Sequence, residues 1–424
     1  MIKFIINGLL RDRNRSFFPI IIVAIGVWLT VFMQAYLTGV MGDMIDTTAR
    51  FSTGHVQIMS KAYAENKDQV PNDLALMDVA KIMSEMQAEY PEMTWVKRIT
   101  FGGLIDIPDV NGETRSQAPV MGFGIDLLSP GSTEINTMNV AKSIVQGRLP
   151  ENPNEILISD LLADRLEVNL GDAATLLSST MFGSMIMHNF KVVGTIRFGI
   201  MALDRGAIIA DVGDVQHALD MEDAAGGILG YLPNRIYNDD TALGIVERFN
   251  QRYEDEADEY APVMGKLIEL SDLGGYLEMA GSMSGILIFV FVIIMSIVLW
   301  NAGLLGGLRR YGEVGIRLAI GEPKGHIYRS LIYESIFIGI VGSIIGTALG
   351  LGCAYWLQVV GLDISAFLQN TSMMISNVFR AEITDETYYI GFYPGLFATV
   401  IGTMLSGIGI YKRQTAQLFK ELEV

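Results

Sequence analysis

The chain has 424 residues, half of them hydrophobic, yet 18% are charged and the formal net charge is −17. The apolar residues are concentrated in a few stretches, which a bilayer demands and an ordinary soluble enzyme of this length does not. A single cysteine, Cys353, excludes a disulfide framework, so any domain outside the cytoplasm must be stable without one.

In chain order, residues 1–16 form a basic, amphipathic N-terminal segment, with Lys3, Arg11, Arg13 and Arg15 against Asp12. The first expected span, 17–40 (FFPIIIVAIGVWLTVFMQAYLTGV), carries no charge. About 20 helical residues cross the ~30 Å apolar slab. This run is too long for the apolar core of a signal peptide, no A-x-A-like site follows, and the cysteine of a lipoprotein signal is missing, so it is expected to be a retained anchor.

Residues 41–282 hold 17 Lys and Arg against 37 Asp and Glu, a net of −20. Strand-like runs fall at 56–59, 100–107, 155–159, 174–178, 190–196 and 206–211; helix-like runs fall at 74–90, 159–167, 212–221 and 241–253. They alternate in no regular βαβ order, so the segment is expected to be an α+β domain. Its ends, 41–115 and 228–282, are expected to form a membrane-proximal part around an insert at 116–227. The acidic run 254–259 reads first as a solvated helix end, and a cation site is the lesser alternative.

The remaining spans are expected at 283–308, 330–358 and 389–411, separated by a loop at 309–329 and a short acidic segment at 359–388, with a tail at 412–424. The fold class is therefore a membrane protein of four transmembrane α-helices with a large α+β extracytoplasmic domain between helices 1 and 2. The 309–329 loop carries Arg309, Arg310, Arg317, Lys324 and Arg329 against Glu313 and Glu322, and the tail Lys412, Arg413 and Lys420 against Glu421 and Glu423. Short Lys- and Arg-rich loops stay cytoplasmic. Both termini and this loop are accordingly expected inside, and 41–282 outside.

Catalytic signatures are missing. His55, His188, His217 and His326 are scattered, with no H-E-x-x-H, G-x-S-x-G or C-x-x-C, and no metal site is expected. No G-x-x-x-x-G-K-[ST] loop exists, and GEPKGH at 321–326 lacks its spacing, so the chain is expected to be no enzyme. Glu334 is the one carboxylate well inside a span, and it reads as snorkelling toward Arg329 or the interface. Within 309–329, a short amphipathic helix at 313–320 would place Ile316 and Ile320 on one face, with Pro323 ending it. Gly342, Gly346 and Gly350 make two overlapping G-x-x-x-G units, a face for close helix packing whose partner, in the same chain or another, is open.

The stretch RRYGEVGIRLAIGEPKGHIYRSLIYESIFIGIVGSIIGTALGLG (309–352) resembles the cytoplasmic loop and third span of FtsX/MacB-like ABC-transporter permeases. The pattern fits at Glu313, Gly315, Ile316, Arg317, Ala319, Gly321 and Glu334, although IGEPKG at 320–325 stands where many relatives have a Gly-Ala-Ser run. GHVQI at 54–58, EILISDLLADRLEVNLGDAATLL (155–177) and 190–221 are similar to the lipoprotein-releasing (LolC/LolE-type) permeases of that superfamily. The resemblance implies that 313–321 couples to a separate ATPase, which binds the ATP and Mg, so no cofactor is expected in this chain. It also implies a second permease chain, the same or related, in the bacterial inner membrane, with no nucleic acid among the partners.

The implied function is ATP-driven extraction of lipoproteins from the membrane for transfer to a periplasmic carrier. Alternatives are MacB-like export of peptides or amphiphiles with an adaptor and outer-membrane channel, and regulation of a cell-wall hydrolase without transport. A lipid or substrate seam is expected between spans 1 and 2, at Met33, Tyr36 and Val40 facing Leu287 and Phe291, with ordinary packing as the alternative. The apolar run 178–189, with Met181, Phe182, Met185 and Met187, is expected to be a projecting hairpin tip. In the relatives a hairpin at this place takes the soluble carrier; folding onto the domain core and dipping into lipid are the alternatives.

Overall fold

The computed structural model describes residues 13–109, 111–253, 258–271, 273–363, 374 and 378–412. The chain divides into two compact units, one of long helices (1–42, 275–362 and 379–424) and one comprising 43–274 with 363–378.

Helix α1 (Arg13–Thr48) opens the described chain and continues into a π-helical turn, Ala49–Thr53, that ends at Gly54 with φ 63°. The αβ unit follows. Its strands are β1 (Val56–Ser60), β2 (Thr94–Pro108), β3 (Thr114–Ile125), β4 (Ile144–Gly147), β5 (Glu155–Ser159), β6 (Ala173–Ser179), β7 (Met185–Ile196), β8 (Ala207–Asp211), β9 (Gly227–Tyr231) and β10 (Pro262–Lys266). Its longer helices are α2 (Val79–Glu89), α3 (Asp160–Leu166), α4 (Val212–Ala218) and α5 (Asp239–Tyr253). Three long helices complete the chain: α6 (Leu273–Ala319), α7 (Lys324–Val360) and α8 (Phe392–Lys412).

The ten strands form one sheet in the order β10-β1-β9-β2-β3-β8-β5-β7-β4, with β6 pairing both β2 and β7. β3–β8 and β5–β7 are parallel and the other pairs antiparallel, so the domain is mixed α+β. The expected ends of the segment supply β1, β9, β10 and the first half of β2, and the expected insert at 116–227 continues the same sheet through the second half of β2. β2 and β3 pair from Ile99 to Pro108, and one core joins Ile58 and Met264 with Ile105, Ile158 and Ile208. A smaller cluster of Phe123, Ile125, Leu157, Phe198 and Ile209 takes in Met374, whose N–H donates to the Arg197 carbonyl at 3.0 Å. Met374 therefore packs in the same unit as 43–274.

β3 and β9 carried no legible strand signal, because glycines interrupt both and β3 also holds Pro119. The sheet covers these glycines with aromatic rings from the opposite strand. A Cβ on Gly122 would lie 2.0 Å from the Phe101 ring, and one on Gly230 would lie 2.5 Å from Trp95. Aromatic side chains laid over strand glycines restore the apolar contact that a missing side chain forfeits.

Among the described residues, four apolar helices are long enough to cross a membrane: Phe17–Thr53, Ser282–Asn301, Lys324–Val360 and Asp385–Ile408. Two expected boundaries change. α1 stays helical beyond 40, and α6 runs unbroken through the expected junction of span 2 with the 313–320 helix. Glycines at 303, 306 and 307 each cost about 1 kcal/mol relative to alanine, but without proline they do not stop a helix.

Candidate functional site

The expected coupling segment is the C-terminal end of α6. Glu313 and Gly315 fall within 302–315, where only the backbone is described. Ile316 is 60% and Ile320 80% exposed, one turn apart, and form an apolar ridge beside half-buried Arg317 and exposed Ala319. The helix stops because Gly321 takes φ 96°, where its N–H donates to Leu318 O (3.1 Å) and that of Glu322 to Arg317 O (3.0 Å). His326 Nδ1 lies 2.5 Å from Glu322 Oε1, and Pro323 caps α7. The acidic run 254–259 lies outside the described residues at 254–257.

The glycine face of α7 has its partner within the same chain. Gly342, Gly346 and Gly350 lie against Val23, Val27 and Val31 of α1, and a Cβ on any of the three would meet its valine at 2.7 Å. The three valines are fully buried. Both series advance by four residues, so each valine seats over one missing side chain. Trp28 Nε1 donates to Cys353 Sγ at 3.4 Å on the same interface.

The expected seam is only partly assembled. Met33, Leu287 and Phe291 line a crevice between α1 and α6 with Thr30, Gln34, Leu37, Ser284 and Ile288. Its volume is about 10 Å³, the space of one water at most, so the crevice is closed to an acyl chain. Tyr36 is corrected: it packs on the Ala35, Ala354, Leu357 and Ala381 cluster. Half-buried Val40 does not line the crevice. Sequence reasoning missed Gln34 and Ser284, whose Oγ donates to Gln34 Oε1. The signal was present, since Gln34 is the lone carboxamide in 17–40.

The Met-rich run forms the β6–β7 hairpin, with Ser179 opposite Met185 and Gly183 at φ 80° in the tip. Met181 departs from its neighbours. It is buried in the domain core, and its N–H donates to Leu219 O at 2.8 Å. Phe182, Met185 and Met187 are 72%, 79% and 73% exposed. Met185 and Met187 share a strand face by the two-residue period, and Phe182 is exposed in the adjoining tip.

Among the described residues no three His, Cys, Asp or Glu side chains converge as metal ligands. His55 is buried and takes a structural part, its Nδ1 accepting from Leu232 N at 3.0 Å.

Two family models match the chain: the MacB-like periplasmic core domain over residues 16–234, and the FtsX-like permease C-terminal model over 285–415. ABC transporter permease YtrF of Bacillus subtilis (strain 168) is 26% identical over 168 residues, covering 36% of this chain and 36% of YtrF. Lipoprotein-releasing system transmembrane protein LolC of Xylella fastidiosa (strain 9a5c) is 24% identical over 245 residues, covering 56% of this chain and 54% of that protein. LolC of Haemophilus influenzae is 24% identical over 208 residues, with 48% and 50% covered. The chain thus spans between about a third and about half the length of these relatives. The periplasmic region of MacB from Actinobacillus actinomycetemcomitans aligns with a TM-score of 0.36 at 9% identity, covering 53% of this chain and 92% of that one.

Proposed function

Because this chain belongs to the FtsX/MacB-like family of ABC-transporter permeases, we propose that it moves lipoproteins from the bacterial inner membrane to a periplasmic acceptor. A separate ATPase supplies the hydrolysis, and a second permease chain completes the transporter. Both termini lie in the cytoplasm and the 41–282 domain in the periplasm, as the distribution of Lys and Arg favours. The apolar ridge of Ile316 and Ile320 is the ATPase-docking surface. Extraction needs work, because each buried CH₂ of an acyl anchor holds about 0.8 kcal/mol.

The observation that carries the lipoprotein reading is the exposed trio Phe182, Met185 and Met187. Solvent-exposed hairpin tips are normally polar, and flexible, polarisable Met suits a surface that receives apolar partners. The named similarity to LolC supports the same cargo class.

The test replaces Phe182, Met185 and Met187 together with Ser and leaves Met181, a core residue, in place. In cells dependent on this chain, palmitate-labelled lipoproteins should accumulate in the inner membrane, while the melting midpoint of the variant stays within about 2 °C of wild type. Lipoproteins reaching their normal membrane in cells depleted of the chain would remove this reading. Loss of amphiphile export would then favour the exporter, and chained or lysing cells the hydrolase regulator.

A further inference from the structure

The end of α1 is tied to the sheet by a buried ionic cluster that no sequence motif announces. Arg98 on β2 and Glu134, at the start of the short helix Glu134–Thr137, are buried and paired in a fork. Arg98 Nε donates to Glu134 Oε2 at 2.7 Å and Nη2 to Oε1 at 3.0 Å. The same Nη2 donates to Tyr231 Oη at 3.0 Å, and Nη1 donates to the carbonyl of Arg50. Tyr231 Oη in turn donates to the carbonyl of Ala49 at 3.1 Å. Ala49 and Arg50 begin the π-turn that closes α1, where the carbonyl of Ala49 also accepts the Gly54 N–H at 2.9 Å.

A buried ion pair is weak evidence for stability, because its desolvation cost rivals its attraction, and well-packed apolar residues often replace it without loss. What apolar residues cannot supply is direction. The planar guanidinium presents donors in fixed orientations, and here Glu134 holds that plane while the free edges grip the helix end. Burial opposes the Arg98 charge, and Glu134 and Tyr231 together more than offset this, so the group stays above the ordinary arginine range. Burial also pushes the Tyr231 hydroxyl up to about 12, which keeps it a donor at any physiological pH.

We propose that Arg98, Glu134 and Tyr231 are positioning residues that latch the terminal π-turn of α1 to the sheet, so that displacement of α1 is passed to the domain instead of being absorbed by local unwinding. The proposal rests on the permease reading for its use, but the latch itself is tested independently. Withdrawing the turn would strip the buried Arg98 Nη1 of its acceptor, the Arg50 carbonyl, and the Tyr231 hydroxyl of its own, the Ala49 carbonyl, a cost that an apolar contact would not impose.

The experiment measures hydrogen exchange in the full-length chain, following amides 50–54 against amides of β5 and β8. In the double variant Arg98→Met/Glu134→Leu, amides 50–54 should exchange about tenfold faster, in line with losing a charge-assisted hydrogen bond. β5 and β8 should keep their protection. Unchanged exchange at 50–54, or equal acceleration throughout the sheet, would overturn the latch. Should the double variant fail to fold, Tyr231→Phe keeps the ion pair and removes only the hydroxyl on Ala49; it should still accelerate 50–54, and no change there would be equally fatal. A wild-type chain that supports no transport would sink the permease reading and leave the exchange result standing.

Discussion

His55 sits edge-on between Tyr231 and Tyr237, ring centroids 5.6 and 5.7 Å away. Burial, opposed by Asp46 and reinforced by Arg235, brings its pKa down to about 4. The folded state therefore holds the neutral ring, whereas the unfolded chain protonates it near 6.5. The stabilisation is complete above 6.5 and is lost as pH falls toward 4, roughly 3 kcal/mol across that window. His55→Gln retains an acceptor for Leu232 and has no proton to bind. The melting midpoint of this variant should fall less steeply between pH 6.5 and 4 than that of wild type; parallel curves would show that the ring is already protonated in the fold. Glu155, held down at about 2 mainly by its hydrogen bonds from Arg148, loses its contribution at lower pH, between about 4.5 and 2, so the two effects separate.

Among the elements, α7 against α1 offers the sharpest test of packing. Gly346→Leu would force a side chain into Val27 and the Ala24 carbonyl, which a Cβ alone would approach to 2.5 Å. Overpacking of this kind costs about 1–3 kcal/mol, and the unfolding transition in mild denaturing detergent should move down accordingly. Gly352 lies on the same helix with nothing within 4 Å of a Cβ, so Gly352→Leu should leave the transition in place. Equal sensitivity at the two positions would argue for a general intolerance of bulk in α7. The G-x-x-x-G spacing was legible as a packing face, but the partner was not, since a motif states only that some backbone comes close. At the elements where strand formation depended on a distant aromatic ring, as at Gly122 and Gly230, nothing local marked the strand.

For the molecule as a whole, the closed crevice between α1 and α6 must widen if cargo enters there. In a Cys353→Ser background, Gln34→Cys and Ser284→Cys joined by a short bifunctional thiol reagent should arrest lipoprotein release while ATP hydrolysis persists; the same chain left unjoined should release normally. Release that continues after joining would remove the seam from the pathway. The sequence by itself determined the four apolar stretches, the acidic segment between the first two, and the strands at 56–59, 155–159 and 206–211. Hydropathy and charge act through solvent on each stretch separately, so these features need no partner to be read. Tertiary structure alone decided that Met181 folds inward while Phe182, Met185 and Met187 project, that Tyr36 turns away from the crevice, and that valines of α1 fill the glycine face. It alone brought Arg98 to Glu134 and both to the end of α1. Such choices depend on which surfaces meet after the chain has closed on itself, and a contact between residues far apart leaves no periodic trace in either segment.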